Sequence, residues 1–265
     1  MSESPDKWLL LAIESAHLGG EAILRFYNEH VSTETKADGS PVTAADRAAH
    51  DAIINHLAKS QIPIVSEEGF DLLLSESEYW LVDPLDGTKD FIDGDDEFSV
   101  NVALIRNQRP VLGVVYAPAI KELYCGVDGT TSWRELNGTR EDSTPHPKSQ
   151  NLRMAVSRFH DTPELDIFAE KNNVSERVPL GSVLKYCRMA MGDLDVVPRL
   201  VGTSEWDTAA GQAVVEGAGG SVLDWHTGES LRYGKPNRRN PRFLAYRSPY
   251  TLDHFKLKHY EPELL

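Results

Sequence analysis

Apolar residues at Leu9, Ile13, Ala16, Ile23 and Phe26 keep approximate helical spacing. Ser4, Pro5 and Asp6 ahead of them supply an N-cap and a first-turn proline, so the chain opens on a long helix. A turn-rich loop over residues 36–46 (KADGSPVTAAD) leads into a second helix at Thr43. There Asp46 sits three positions on to close a capping box, and Ala48, Ala49, Ala52, Ile53 and Leu57 form the apolar side. His50 and His56 ride on that helix outside any ligand spacing and read as ordinary helix residues. Residues 62–65 form a short β-branched strand that ends in Ser66-Glu67-Glu68-Gly69. Residues 79–82 (YWLV) read as a buried strand, with Pro84 ending the ladder by removing an N–H and Gly87 permitting a tight turn. Three further runs, 99–105, 111–117 and 123–127, predict an antiparallel meander.

From about 128 to 150 the chain turns polar and rich in Gly, Thr, Ser and Pro. A seam is placed there between two lobes of one domain, about 1–140 and 141–265. Beyond it strands and helices alternate. Strands are predicted over 154–157, 178–180, 195–200, 221–225 and 243–246, with helices opening at Thr162-Pro163, over 182–191 and after Thr208. The last of these is rich in alanine and glycine and is capped near Gly219-Gly220, and a terminal helix starts at Ser248-Pro249. The fold class is α/β with an α+β layered character.

Composition narrows the partners. A net charge of −14 over 265 residues speaks against coating nucleic acid or an anionic membrane, both of which demand basic patches. Cys125 and Cys187 lie far apart and outside any zinc or redox spacing, so no disulfide framework is predicted. No signal-peptide pattern and no apolar run of spanning length occurs. The protein is read as cytoplasmic, with peripheral association at the inner membrane left open.

The candidate chemistry gathers at Trp80–Thr88, WLVDPLDGT. Two carboxylates about 4 Å apart repel by roughly 4 kcal/mol even at an effective dielectric of about 20, and a cation between Asp83 and Asp86 removes that cost. The alternative is a polar turn with solvated aspartates. Glu67 and Asp207 stand at other element ends, and Asp46 and Thr88 each have a bland reading as a cap and a turn residue.

Together with KADGSPVTAAD, PIVSEEG, YWLVDPLDGTKDFI, EFSVNVALI, GVVYAP, GSVLKYC and WDTAAG, these residues resemble the lithium-sensitive, Mg²⁺-dependent phosphatase superfamily of inositol monophosphatase and fructose bisphosphatase. They are most similar to its CysQ-type 3'(2'),5'-bisphosphate nucleotidases. The resemblance implies an alternating α-β-α-β-α sandwich and two to three Mg²⁺ ions, with Li⁺ inhibitory. Glu67, Asp83 and the Leu85 carbonyl would hold the first ion and Asp83, Asp86 and Asp207 the second, while a looser third ion would reach Glu67 through water. Glu67, Thr88 and Asp46 would prepare the attacking water. Substrate contacts would come from Glu67, Leu85, Asp86, Gly87, Thr88 and Asp207 around the phosphate and from Gly181, Ser182 and Lys185 at the nucleotide, with Arg199 as a helper.

The implied reaction is hydrolysis of adenosine 3',5'-bisphosphate, and of its sulfated form, in sulfur assimilation and nucleotide recycling by a monomer or homodimer. Two departures stand out. The turn Asp93-Gly94-Asp95-Asp96-Glu97 is acidic where the family often has a basic one, which would oppose a highly charged substrate, and Val183 replaces a usual serine. Inositol phosphates or a sugar bisphosphate remain alternative substrates. A haloacid-dehalogenase-like enzyme would need its aspartates two apart instead of three. A calcium-binding module lacks the twelve-residue ligand loop.

Overall fold

The computed structural model describes residues 5–27, 33–35, 41–69, 76–158 and 162–256. The cap expected at Ser4 and the loop residues 36–40 lie outside them. Helix α1 (Pro5–Leu24) is followed by a small ribbon, β1 (Thr33–Thr35) and β2 (Pro41–Thr43), and then by α2 (Ala44–Leu57). The capping box at Thr43 forms as its spacing predicts: Thr43 Oγ1 accepts from Ala45 N–H at 3.1 Å and Asp46 Oδ2 accepts from Thr43 N–H at 2.7 Å.

The first large sheet contains β3 (Ile64–Ser66), β4 (Glu78–Asp86), β5 (Ser99–Arg106), β6 (Arg109–Ala117), β7 (Glu122–Val127), β8 (Thr131–Leu136) and β9 (Thr139–Asp142) in that spatial order, with the short helix α3 (Thr88–Asp93) between β4 and β5. Only the β3–β4 pair in it is parallel. Its last two strands occupy much of the stretch read from composition as a polar seam. Strand β9 is exposed along its whole length, and its Arg140 covers the Trp133 ring at 4.5 Å, so charge and hydroxyl groups protect an edge that a hydrophobic pattern would not reveal.

The second half supplies β10 (Leu152–Val156), α4 (Pro163–Lys171), β11 (Val174–Pro179), α5 (Leu184–Ala190), β12 (Val196–Arg199), α6 (Ala209–Gly217), β13 (Ser221–Asp224) and β14 (Phe243–Tyr246). Its five strands pair in the order β11-β10-β12-β14-β13, parallel among the first three and antiparallel thereafter. Where a terminal helix was expected from Ser248-Pro249, the described chain makes one 3-10 turn, Leu252–His254. The Ser248-Pro249 peptide bond is cis.

Strand alternation sorts the core into layers. Trp80, Val82, Val100 and Val102 face α1 and α2, packing with Ala12, Ala16 and Ile53. Leu81, Ala103, Val115 and Tyr124 face the other way, onto Leu184 and Cys187 of α5 and Ala210 and Val214 of α6, whose far sides meet Ala155, Val197 and Ala245 of the second sheet. Met154, Val196 and Leu244 then cover Leu165 and Phe168 of α4. The architecture is a five-layer α-β-α-β-α sandwich.

The middle helix layer is held unusually close to the first sheet. A Cβ on Gly126 would lie 2.3 Å from the Ala213 carbonyl oxygen, and one on Gly113 2.4 Å from that of Ala210, so the α6 backbone rests on the strands where only glycine leaves room. Gly126→Ala is therefore expected to cost about 1–3 kcal/mol by overpacking and to lower the urea midpoint. An unchanged midpoint would show that α6 can lift away freely.

Candidate active site

The centre of the cleft is a β-bulge. Asp83 pairs with Asn101 and Asp86 with Ser99, so Pro84 and Leu85 oppose the single residue Val100. Pro84 thus does not end the strand as its missing N–H suggested. It occupies the bulge, where no ladder bond is required of it, and β4 continues to Asp86. In an unbroken strand, side chains three apart point to opposite faces. The extra residue cancels that alternation, and Asp83 and Asp86 both line one cleft.

Asp83 is almost fully buried and its Oδ1 accepts from Leu85 N–H at 3.1 Å. The chain then turns through Gly87, at φ +90°, into α3. The Thr88 hydroxyl lies 3.1 Å from the Leu85 carbonyl oxygen and 3.2 Å from Asp46 Oδ1, and its one proton can serve either. Asp46 Oδ2 caps α2 as its spacing predicts, and its Oδ1 faces Thr88. The two histidines are satisfied by neighbours, His50 by Ser66 at 2.8 Å and His56 by Glu14 at 2.9 Å.

Glu67 opens the 3-10 turn after β3. Asp207 stands in the loop before α6, its Oδ2 accepting from Ser204 N–H at 2.8 Å. Both line the same cleft as Asp83, Leu85, Asp86, Gly87 and Thr88. Across from them lie Gly181, Ser182, Lys185 and Arg199. Lys185 is buried and its ammonium donates to the Ser182 carbonyl, with Ser182 held at φ +42°. Arg199 Nε is buried without a hydrogen-bond partner.

Several participants escaped the sequence. Asp86 Oδ2 accepts from Val183 N–H at 2.6 Å and from Asn101 Nδ2 at 3.3 Å, so the main chain at position 183 contributes whatever its side chain. Asn101, a lone amide within an apolar strand, was the available signal. Arg158, just past β10, pairs with Asp90 at 3.2 Å, with Glu97 at 2.8 Å and with Asp95. Asp96 accepts from the Tyr27 hydroxyl at 2.6 Å. The Arg158 guanidinium thus offsets part of the acidic turn's charge.

Burial raises the carboxyl groups of Asp86 and Asp207. Asp86 and Glu67 push Asp207 further in the same direction, while Lys185 draws Asp86 back. Lys185 is lowered to about 8, chiefly by burial, with Asp86 opposing. Carboxylates that lift one another in this way are suited to a cation, and the donors here, four carboxylates and a carbonyl, are all oxygen, the set preferred by Mg²⁺. As they stand, no three His, Cys, Asp or Glu side chains among the described residues converge tightly enough to hold a metal ion, so the geometry does not define an ion count.

The inositol monophosphatase family model matches residues 4–250. The 3'(2'),5'-bisphosphate nucleotidase CysQ of Escherichia coli (strain K12) is 40% identical over 234 residues, which is 86% of this chain and 92% of that protein. Its counterpart in Salmonella typhimurium is 41% identical over 225 residues, 82% of this chain and 90% of the relative. The crystal structure of CysQ from Bacteroides thetaiotaomicron, a bacterial member of the same family, aligns with a TM-score of 0.83 at 36% identity, covering 94% of this chain and 100% of the other. Since family model, relatives and fold agree over nearly the whole length, this chain belongs to the inositol monophosphatase family, on its CysQ-type branch.

Proposed function

We propose that this protein is a Mg²⁺-dependent phosphatase that hydrolyses adenosine 3',5'-bisphosphate to AMP and phosphate. The observation that carries the reading is the division of one cleft into an acidic wall and a cationic one, the second formed by buried Lys185 and the unpartnered Nε of Arg199. A substrate with two phosphates suits such a cleft: one enters the carboxylate end and the other meets the cations. The similarity to the CysQ nucleotidases supports the same choice.

Glu67, Asp83, the Leu85 carbonyl, Asp86 and Asp207 would hold Mg²⁺, which when bound supplies neutralising charge to the phosphoryl, attacking and leaving oxygens. Asp46 is aligned by its cap bonds to Thr43 and reaches Thr88 at 3.2 Å, so this pair takes the proton of the attacking water. The water oxygen bonds to phosphorus, the P–O3' bond breaks, and the ribose oxygen leaves as a hydroxyl after taking up a proton. Lys185 and Arg199 hold the phosphate that is not cleaved.

In a phosphate-release panel, adenosine 3',5'-bisphosphate should be turned over more efficiently than inositol 1-phosphate or fructose 1,6-bisphosphate. Lys185→Ala should raise KM for the bisphosphate about tenfold to a hundredfold, the loss of one charge-assisted contact, with a far smaller effect on adenosine 3'-monophosphate. Preference for inositol 1-phosphate, with both substrates equally affected, would overturn the nucleotidase reading and leave a phosphatase of another specificity.

Chelation by EDTA should abolish turnover, Mg²⁺ should restore it and Li⁺ should inhibit. Activity that persists under excess chelator would sink the metal mechanism. Asp46→Asn should lower kcat about 10²- to 10⁴-fold, the range of general base assistance, and near-normal kcat would leave Asp46 as a helix cap alone.

The raised carboxyl of Asp207 gives a further test in the chelated protein. A group whose folded pKa exceeds its unfolded value weakens the fold as pH rises past the ordinary carboxylate range, since the folded state must give up a proton it holds more tightly. Chelated Asp207→Asn should therefore be more stable than chelated wild type, by a margin that is small near pH 4 and grows toward neutrality. In the same variant Mg²⁺ should bind more weakly by calorimetry. A pH-independent difference in urea midpoint would remove Asp207 from the mutual repulsion.

A further inference from the structure

We propose that Glu97, in the acidic turn before β5, is a positioning residue that sets the grip on the uncleaved phosphate, a role that rests on the nucleotidase reading. Glu97 Oε2 accepts from Gly181 N–H at 2.8 Å and from Arg158 Nη2 at 2.8 Å, while Oε1 accepts from Arg188 Nη1 at 3.3 Å. One carboxylate thereby joins the first residue of the Gly181–Lys185 loop, the cation beyond β10 and the outer face of α5. It is mostly shielded from water, so these charge-assisted bonds are weakly screened.

The backbone of Glu97 makes a separate join. A Cβ on Gly181 would fall 2.6 Å from the Glu97 carbonyl oxygen, and one on Gly87 3.3 Å from the same atom. The turn after Asp86 and the loop before Lys185 therefore rest on one peptide group, which side-chain replacement leaves in place. The side chain acts on the cationic side alone: it anchors Gly181, and through the short loop it fixes where Ser182 and Lys185 stand relative to the carboxylate wall. It also holds Arg158 on the cleft lining in company with Asp90 and Asp95. The acidic turn is then a brace for the cations that meet the second phosphate.

The experiment compares wild type, Glu97→Gln and Glu97→Ala on adenosine 3',5'-bisphosphate and adenosine 3'-monophosphate at saturating Mg²⁺. Glu97→Ala should lower the ratio of kcat/KM for the bisphosphate to that for the monophosphate about tenfold, through KM more than kcat. Glu97→Gln keeps an acceptor for Gly181 N–H but loses the charge, so it should fall between. Arg158→Ala combined with Glu97→Ala should lower the ratio by less than the product of the two single effects, because the pair acts as a unit.

An unchanged ratio, or equal losses on both substrates, would overturn the role and leave Glu97 a structural ion pair. If Glu97→Ala fails to fold, Glu97→Gln alone decides by the same ratio. Failure of wild type to hydrolyse the bisphosphate would instead indict the nucleotidase reading, so the two failures are separable.

Discussion

The hydrogen bond from Val183 N–H to Asp86, at 2.6 Å, is the contact on which the site depends. It joins the end of β4 in the first sheet to the loop that opens α5, and so fixes the distance between the acidic and cationic walls. Asp83 and Asp207 are held by the same device, one by Leu85 N–H and the other by Ser204 N–H. Each carboxylate thus spends an oxygen on main chain whose position the sandwich dictates. Side-chain rotation is removed before any ligand arrives, the arrangement that makes electrostatic preorganisation effective. The cost is visible in the raised carboxyl groups of Asp86 and Asp207, which the fold tolerates because α5 and α6 pack so tightly around them.

Much of the fold was legible because strand and helix periods are local. The run YWLV, the capping box at Thr43 and the meander after Ser99 were all read where they form. Strands β8 and β9 were not, since glycine, threonine and charge in that stretch fit an edge hairpin as readily as a seam. Proline at position 84 misled for a related reason: the residue breaks a regular ladder, but only pairing with β5 shows that the ladder there carries an extra residue.

The acids that line the cleft, and Lys185 and Arg199 across from them, were named from the sequence motifs and the resemblance they carry, whereas the cations beside the acidic turn were not. Arg158 and Arg188 are separated by a helix and a strand, and neither lies in a motif that marks it as reaching Glu97. A run such as DGDDE looks like excess negative charge from sequence alone. Its meaning depends on which cations the second half of the chain brings to it, and that is a property of packing between layers. Lone polar residues inside apolar runs, such as Asn101, were the weaker signal that sequence did carry.

The bulge at Pro84 and Leu85 separates two kinds of heritable information at one point in the chain. Deleting either residue would restore regular pairing between β4 and β5 and cost the sheet little. The same deletion would leave Asp83 and Asp86 two apart and still on one face, but it would undo the local turn in which Asp83 accepts from Leu85 N–H and the Leu85 carbonyl oxygen meets the Thr88 hydroxyl. The scaffold would persist without the bulge that presents the Leu85 carbonyl oxygen beside the acids, so abundance and thermal tolerance would report little of the change. Single-codon deletions here are therefore a route by which a lineage could lose the chemistry while keeping the scaffold, open to a new use.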